Sequence, residues 1–224
     1  MAGFEPAMER AHSMIDLYTW STPNGRKISI MLEEIGLDYT VHAIDITKDE
    51  QFDPDFLEFS PNNKIPAIVD TDTGMRLMKS GAIMVYLAEK VGSPLWPTDS
   101  EKRFDVLQWL IKKMGSVLPM LGQTHHFLRG AKGKAPYAEE RYLNENKRIY
   151  GVLDKRLGEH QYLAGDYSIA DIATWPWIAR HPRQEMNLHE YPNLLRWYLE
   201  IAARPAVQRG YFVPKHVEEI PIPG

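Results

Sequence analysis

The sequence predicts an α/β domain followed by an all-helical one, and three observations carry that division. Over roughly the first ninety of its 224 residues the apolar pattern switches back and forth between strand-like alternation and helical spacing. A stretch with two prolines and a glycine, "GSPLWPTD" at 92–99, then interrupts the pattern. Beyond it no convincing strand remains, only long segments of helical period.

The elements follow in order. "MIDLYTW" reads as a strand, and "TPNGRK" at Thr22–Lys27 as a strand-to-helix turn. Proline presets φ there, asparagine tolerates left-handed geometry and glycine has no Cβ. The helix that starts in this turn ends at Gly36. "DYTVHAIDI" alternates as a strand, "PDFLEFS" is a short helical piece, and "IPAIVD" and "MRLM" are two strands about a "DTDTG" turn. "SGAIMVYLAEKVG" closes the half as a helix ended by Gly92. The order β-α-β-α-β-β-α, with a parallel opening pair and an antiparallel closing hairpin, is the thioredoxin-like arrangement.

In the second half the helical pattern covers about 101–128, 137–157, 168–180 and 191–203, with a short piece after Pro205. Leu107, Leu110, Ile111 and Met114 have the spacing of one apolar face, as do Tyr142, Ile149, Val152 and Leu153, and both stripes are expected to be bundle core. The boundaries read as an extension at 1–13, the thioredoxin-like domain at 14–91, a linker at 92–99, the helical domain at 100–210 and a tail at 211–224.

Composition removes several classes of function. The net charge is −4 and no Lys/Arg block is long enough to track phosphates, which argues against nucleic acid. No stretch is apolar enough to cross a bilayer, and "MAGFEPAMERAHS" lacks the layout of a secretion signal, so a cytoplasmic protein without membrane partners is expected. There is no cysteine. Disulfides, thiolate metal sites and a cysteine nucleophile are therefore excluded, and any thiol chemistry must use a sulfur that arrives with a ligand. No two of the eight histidines have helical metal-ligand spacing, and no metal is expected. Phosphate loop, dinucleotide fingerprint and nucleophile elbow are all missing.

Three motifs bear on chemistry. In "SPNNKIPAIVD", Pro66 opens a strand, either as plain edge punctuation or as a cis bond that turns the Ile65 N–H and C=O toward an extended ligand. In "KSGAI", Ser80 stands at a helix start, where it caps the helix or holds a carboxylate. Ser168 and Asp171 in "YSIADIATWPW" have capping-box spacing and are assigned to folding.

Together, "STPNGRKISIMLEE", "SPNNKIPAIVD", "SGAIMVYLAEK", "PMLGQTHHF", "YLAGDYSIADIATWPW" and "ARPAVQRG" make the chain resemble the cytosolic glutathione transferases from Met14 to about Gly210. Within them it is most similar to the bacterial Nu-class, YfcG/YghU-like subgroup. The resemblance implies that Thr22 and Asn24 lie beside the glutathione sulfur. It implies that Gln51 contacts the glycine end, that Lys64, Ile65 and a cis Pro66 hold the peptide backbone, and that Ser80 binds the γ-glutamyl carboxylate. It further implies a homodimer with glutathione as bound co-substrate, and disulfide reduction or glutathione transfer to a small electrophile as the activity. A second pocket is expected around Met120, His126, Phe127 and Trp175. One position departs from the family pattern: Lys79 stands where an acid usually pairs with the γ-glutamyl ammonium. Either Lys79 faces solvent while a dimer partner supplies an acid, or glutathione binds weakly, or the preferred ligand lacks that ammonium. A non-catalytic binding or regulatory protein on the same fold is the alternative that Lys79 favours.

Overall fold

The computed structural model describes residues 14–224, so the extension read at 1–13 lies outside the described residues. β1 (Ile15–Thr19), α1 (Pro23–Ile35) and β2 (Tyr39–Ala43) form the opening unit, with β1 and β2 parallel in the register Leu17↔Val41. After α2 (Pro54–Leu57), β3 (Ala67–Asp70) and β4 (Arg76–Met78) make the antiparallel hairpin, and α3 (Ser80–Lys90) follows. The sheet order is β2-β1-β3-β4. Alternation along β1 turns Ile15 and Leu17 into the core, where both are fully buried. Tyr18 pairs with Ala67 and Ala67 with Met78, so the chain leaving β1, the chain entering β3 and the chain entering α3 meet at one end of the sheet.

The segment 92–99 holds neither helix nor strand, yet it is fixed. Leu95 and Trp96 are buried, Trp96 Nε1 donates to Glu89 at 3.0 Å, and the Leu95 carbonyl accepts from the Ile169 N–H at 3.1 Å. The expected long helix after it is α4 (Ser100–Lys112), a π turn at Lys113–Val117, α5 (Leu118–His125) and a second π turn at His126–Gly130. Its apolar face corrects the sequence reading. Val106, Leu110, Lys113 and Val117 point inward, whereas Ile111 is 60% exposed. Leu110 is core as expected and Leu107 and Met114 pack against that core, so the correction falls on Ile111, while Lys113 takes an interior place.

Then come α6 (Pro136–Glu159), α7 (Ile169–Ile178), α8 (Pro192–Ala202) and α9 (Pro205–Tyr211). The capping box forms as expected, and Asp171 also accepts from Trp197 Nε1 at 2.8 Å and the Leu163 N–H at 3.0 Å, tying α7 to α8. Helix α1 is the shared element of the two halves and packs on α3, α7 and α9. Gly210 permits the α1–α9 approach, since a Cβ there would lie 2.6 Å from the Ile30 nitrogen. The tail packs too: Ile220 is buried and the Pro221 carbonyl accepts from Tyr198 Oη at 2.7 Å. Among the described residues no helix is long and apolar enough to cross a membrane.

Candidate active site

The turn between β1 and α1 is built as an N-cap. Thr22 has extended backbone (φ −120°, ψ 161°), its Oγ1 accepts from the Gly25 N–H at 3.2 Å, and Pro23 fills the first helical position. With its oxygen so used, the Thr22 hydroxyl proton remains to donate away from the helix. Gly25 is required by space, because a Cβ there would collide with the Trp20 carbonyl oxygen and the Thr19 hydroxyl.

Asn24 has a determined polarity. Its Oδ1 accepts from Lys27 Nζ at 2.6 Å and from Trp177 Nε1 at 3.1 Å. An indole N–H only donates, so the oxygen must face α7 and the two Nδ2 hydrogens are the amide's free groups. Lys27 Nζ also donates to Ser80 Oγ at 3.3 Å, which leaves the Ser80 hydroxyl proton to bind an anion at the start of α3. The lysine thus links the residues that the resemblance places at the sulfur and at the γ-glutamyl carboxylate of glutathione. Lys27 and Lys113 are both buried. Burial pushes Lys27 down to about 7, partly offset by the contact with Lys113. Lys113 is pushed well down by burial and by the Lys27 charge.

Lys79 is the N-cap of α3 with φ 71°, a left-handed conformation rare for a side-chain-bearing residue. Its side chain is exposed and makes no ion pair among the described residues. The Ile65–Pro66 bond is cis, and Ser60 Oγ donates to the Lys64 carbonyl at 2.8 Å, fixing the approach. Gln51 lies farther out: its Nε2 donates to Asp49 at 3.3 Å, while its Oε1 is buried without a hydrogen-bond partner. Thr22, Asn24, Ile65, Pro66, Lys79 and Ser80 therefore converge at the sheet end where the three chain segments meet.

The second-pocket residues divide. Met120 lines a cavity of about 730 Å³ between α5 and α6, with Tyr137, Arg141, Tyr142 and Arg148. Phe127 stacks on Tyr142 at 5.4 Å and His126 sits edge-on to Phe127. None of Thr22, Asn24 or Ser80 lines this cavity. Trp175 is a correction: it is fully buried, stacked on Tyr198, with its Nε1 donating to the Tyr198 carbonyl at 3.0 Å. The tryptophan that reaches the site is Trp177, two residues on. Every residue of α7 is buried, so periodicity in "ATWPW" carried no signal of which ring faces the cleft.

The tail also contributes. Ser21 Oγ donates to the Lys215 carbonyl at 3.0 Å, and Lys215 Nζ lies 4.1 Å from the Trp20 ring centroid. Glu218 is gripped by Arg26, Arg180 and Arg183 at 3.0, 2.9 and 2.7 Å. Arg26 lies in the first turn of α1, is fully buried, and stacks 3.6 Å over Tyr211. Half-buried His125 is pushed down by burial and by Arg180, Arg183 and Arg129.

A thioredoxin-like domain with a cis-proline before β3, anion-ready helix starts at α1 and α3, and a helical domain closing over them defines the glutathione transferase class. Family models agree: the glutathione S-transferase N-terminal domain matches 13–89 and the C-terminal domain 112–205. The Escherichia coli disulfide-bond oxidoreductase YfcG is 50% identical over 86% of this chain and 92% of its own. The E. coli disulfide-bond oxidoreductase YghU is 39% identical over 89% and 74%. A Pseudomonas putida glutathione transferase with glutathione disulfide bound superposes with a TM-score of 0.86 at 41% identity, covering 92% of this chain and 94% of that one. The chain belongs to the glutathione S-transferase family, in its bacterial YfcG/YghU-like subgroup.

Proposed function

We propose that the chain reduces disulfides with the thiolate of glutathione bound at the starts of α1 and α3. The carrying observation is Asn24, whose oxygen is occupied by Lys27 and Trp177 so that its N–H groups, with the Thr22 hydroxyl, are donors left for a sulfur anion. Such donors at a helix N-terminus lower a thiol's pKa. The bound thiolate attacks one sulfur of a disulfide, forming a mixed disulfide and releasing the other sulfur as a thiolate that takes up a proton. A second glutathione thiolate attacks the glutathione sulfur of that mixed disulfide and frees the second thiol. Two glutathiones are oxidised to glutathione disulfide and one disulfide is reduced to two thiols. The absence of cysteine agrees with a borrowed sulfur.

Ser80 holds the γ-glutamyl carboxylate, Lys64 and Ile65 the ligand's peptide backbone, and Gln51 its glycine end. Among the described residues the Ile65 N–H and C=O have no internal partner. The names of YfcG and YghU favour this reading over a non-catalytic protein. A glutathione-fed reaction suits the reducing cytoplasm. The chain works as a homodimer: Phe104 and Ile111, seven residues apart on one face of α4, are 64% and 60% exposed, which a second copy would cover. In a glutathione-dependent hydroxyethyl-disulfide assay at saturating glutathione, Thr22→Ala and Asn24→Ala should lower kcat by roughly 10–100-fold with a smaller change in KM. Equal turnover in wild type and both variants removes these residues from the mechanism.

A further inference from the structure

Lys27 and Lys113 face each other where α1, α3 and the π turn after α4 meet, and each is at most 1% exposed. Around them α1 presents Asn24, α3 presents Ser80, the π turn presents the Met114 sulfur 3.8 Å from Lys113 Nζ, and α7 presents Trp177 on Asn24. Among the described residues no carboxylate pairs with either lysine. Of the other lysines, Lys112 ends α4 with its Nζ 5.8 Å from the Trp109 ring centroid, and Lys79 is exposed.

Two ammonium ions in contact in a dry interior repel strongly, so the pair carries one charge rather than two. Burial pushes both amines down, Lys113 also under its neighbour's charge. Of the two, Lys27 is the one whose Nζ donates to both Asn24 and Ser80.

We propose that Lys27 is the positioning residue of the thiolate site, its buried amine standing behind Asn24 and Ser80 with Lys113 beside it. The inference rests on the reading that glutathione binds there. Lys27 and Trp177 together hold the Asn24 amide with its nitrogen outward, and the Lys27 charge favours a nearby sulfur anion without touching it.

The test titrates the thiol of protein-bound glutathione by its thiolate ultraviolet absorbance, in wild type, Lys27→Met and Lys113→Met. Methionine fills either interior place with an apolar chain of similar length, and thermal melts check that both variants fold. In Lys27→Met the bound thiol should titrate about one pH unit higher than in wild type, about a tenfold loss of thiolate near neutral pH. Lys113→Met should fall between the two, since Lys27 then gives up its proton more readily. An unchanged titration in folded Lys27→Met overturns the proposal while the functional reading stands. A wild type that binds glutathione with the thiol titrating as in free solution also overturns it. A wild type that binds no glutathione by calorimetry defeats the functional reading, and this inference with it.

Discussion

Glu218→Gln should destabilise the protein out of proportion to an ordinary surface change. The substitution keeps the side chain's shape and removes the one carboxylate that faces Arg26, Arg180 and Arg183. Arg26 is fully buried, while Arg183 is about half exposed. Leaving a buried cation unpaired costs about 3–5 kcal/mol, whereas losing the exposed arm costs under about 1 kcal/mol. Glu218 itself keeps some contact with solvent, so the lower end applies, about 3 kcal/mol. For a chain of this size that corresponds to a fall in Tm of roughly 6–12 °C. Thermal melts followed by circular dichroism would measure it, with Arg183→Gln as the mild control and the Arg26→Met, Glu218→Gln double variant recovering much of the loss. The effect also has a pH signature. Burial raises the Glu218 carboxyl, but Arg180, Arg26 and Arg183 outweigh it and hold it below its ordinary value. Its contribution is therefore present above the ordinary carboxyl range and disappears as pH falls through the lowered folded value. A Glu218→Gln protein melting within about 2 °C of wild type would refute the argument that this carboxylate neutralises a buried guanidinium.

Two further outcomes are expected. Lys79→Glu should tighten glutathione binding about tenfold by replacing a like charge near the γ-glutamyl ammonium with an opposite one, with the gain shrinking as salt rises. Calorimetry at two salt concentrations measures it, and no gain at either would mean that Lys79 points away from that group. Stability should climb with pH above about 7, because Lys27 is depressed to about that value in the folded protein and the unfolded chain binds the extra proton between there and the ordinary lysine range. Urea midpoints on either side of that window should differ in this sense, and less so in Lys113→Met; a flat profile common to both proteins would contradict the buried pair.

The sequence-to-structure correspondence is closest where local rules act alone. The β-α-β-α-β-β-α order was legible because each element has its own period and is closed by glycine or proline, and the Ser168–Asp171 box formed from neighbours in sequence. Thr22, Asn24, Pro66 and Ser80 were legible as turn, strand-start and helix-cap residues, and the sheet order brings them together. What escaped depends on contacts distant in the chain. Lys27 reads as a solvated helix lysine until α3 and the π turn close over it. Lys113 hides an interior position behind a charge, while Ile111, apolar and in the expected stripe, is exposed. Trp175 and Trp177 differ only in rotation on a helix buried all round, and the tail has no period at all, being held by Glu218 and Ile220.

The most direct test is a crystal structure of the protein soaked with glutathione. The account predicts the sulfur within hydrogen-bonding reach of both Thr22 Oγ1 and Asn24 Nδ2, the γ-glutamyl carboxylate on Ser80, and the ligand's peptide group paired with Ile65. A glutathione sulfur lying away from Thr22 and Asn24, with the tripeptide elsewhere on the surface, would contradict it.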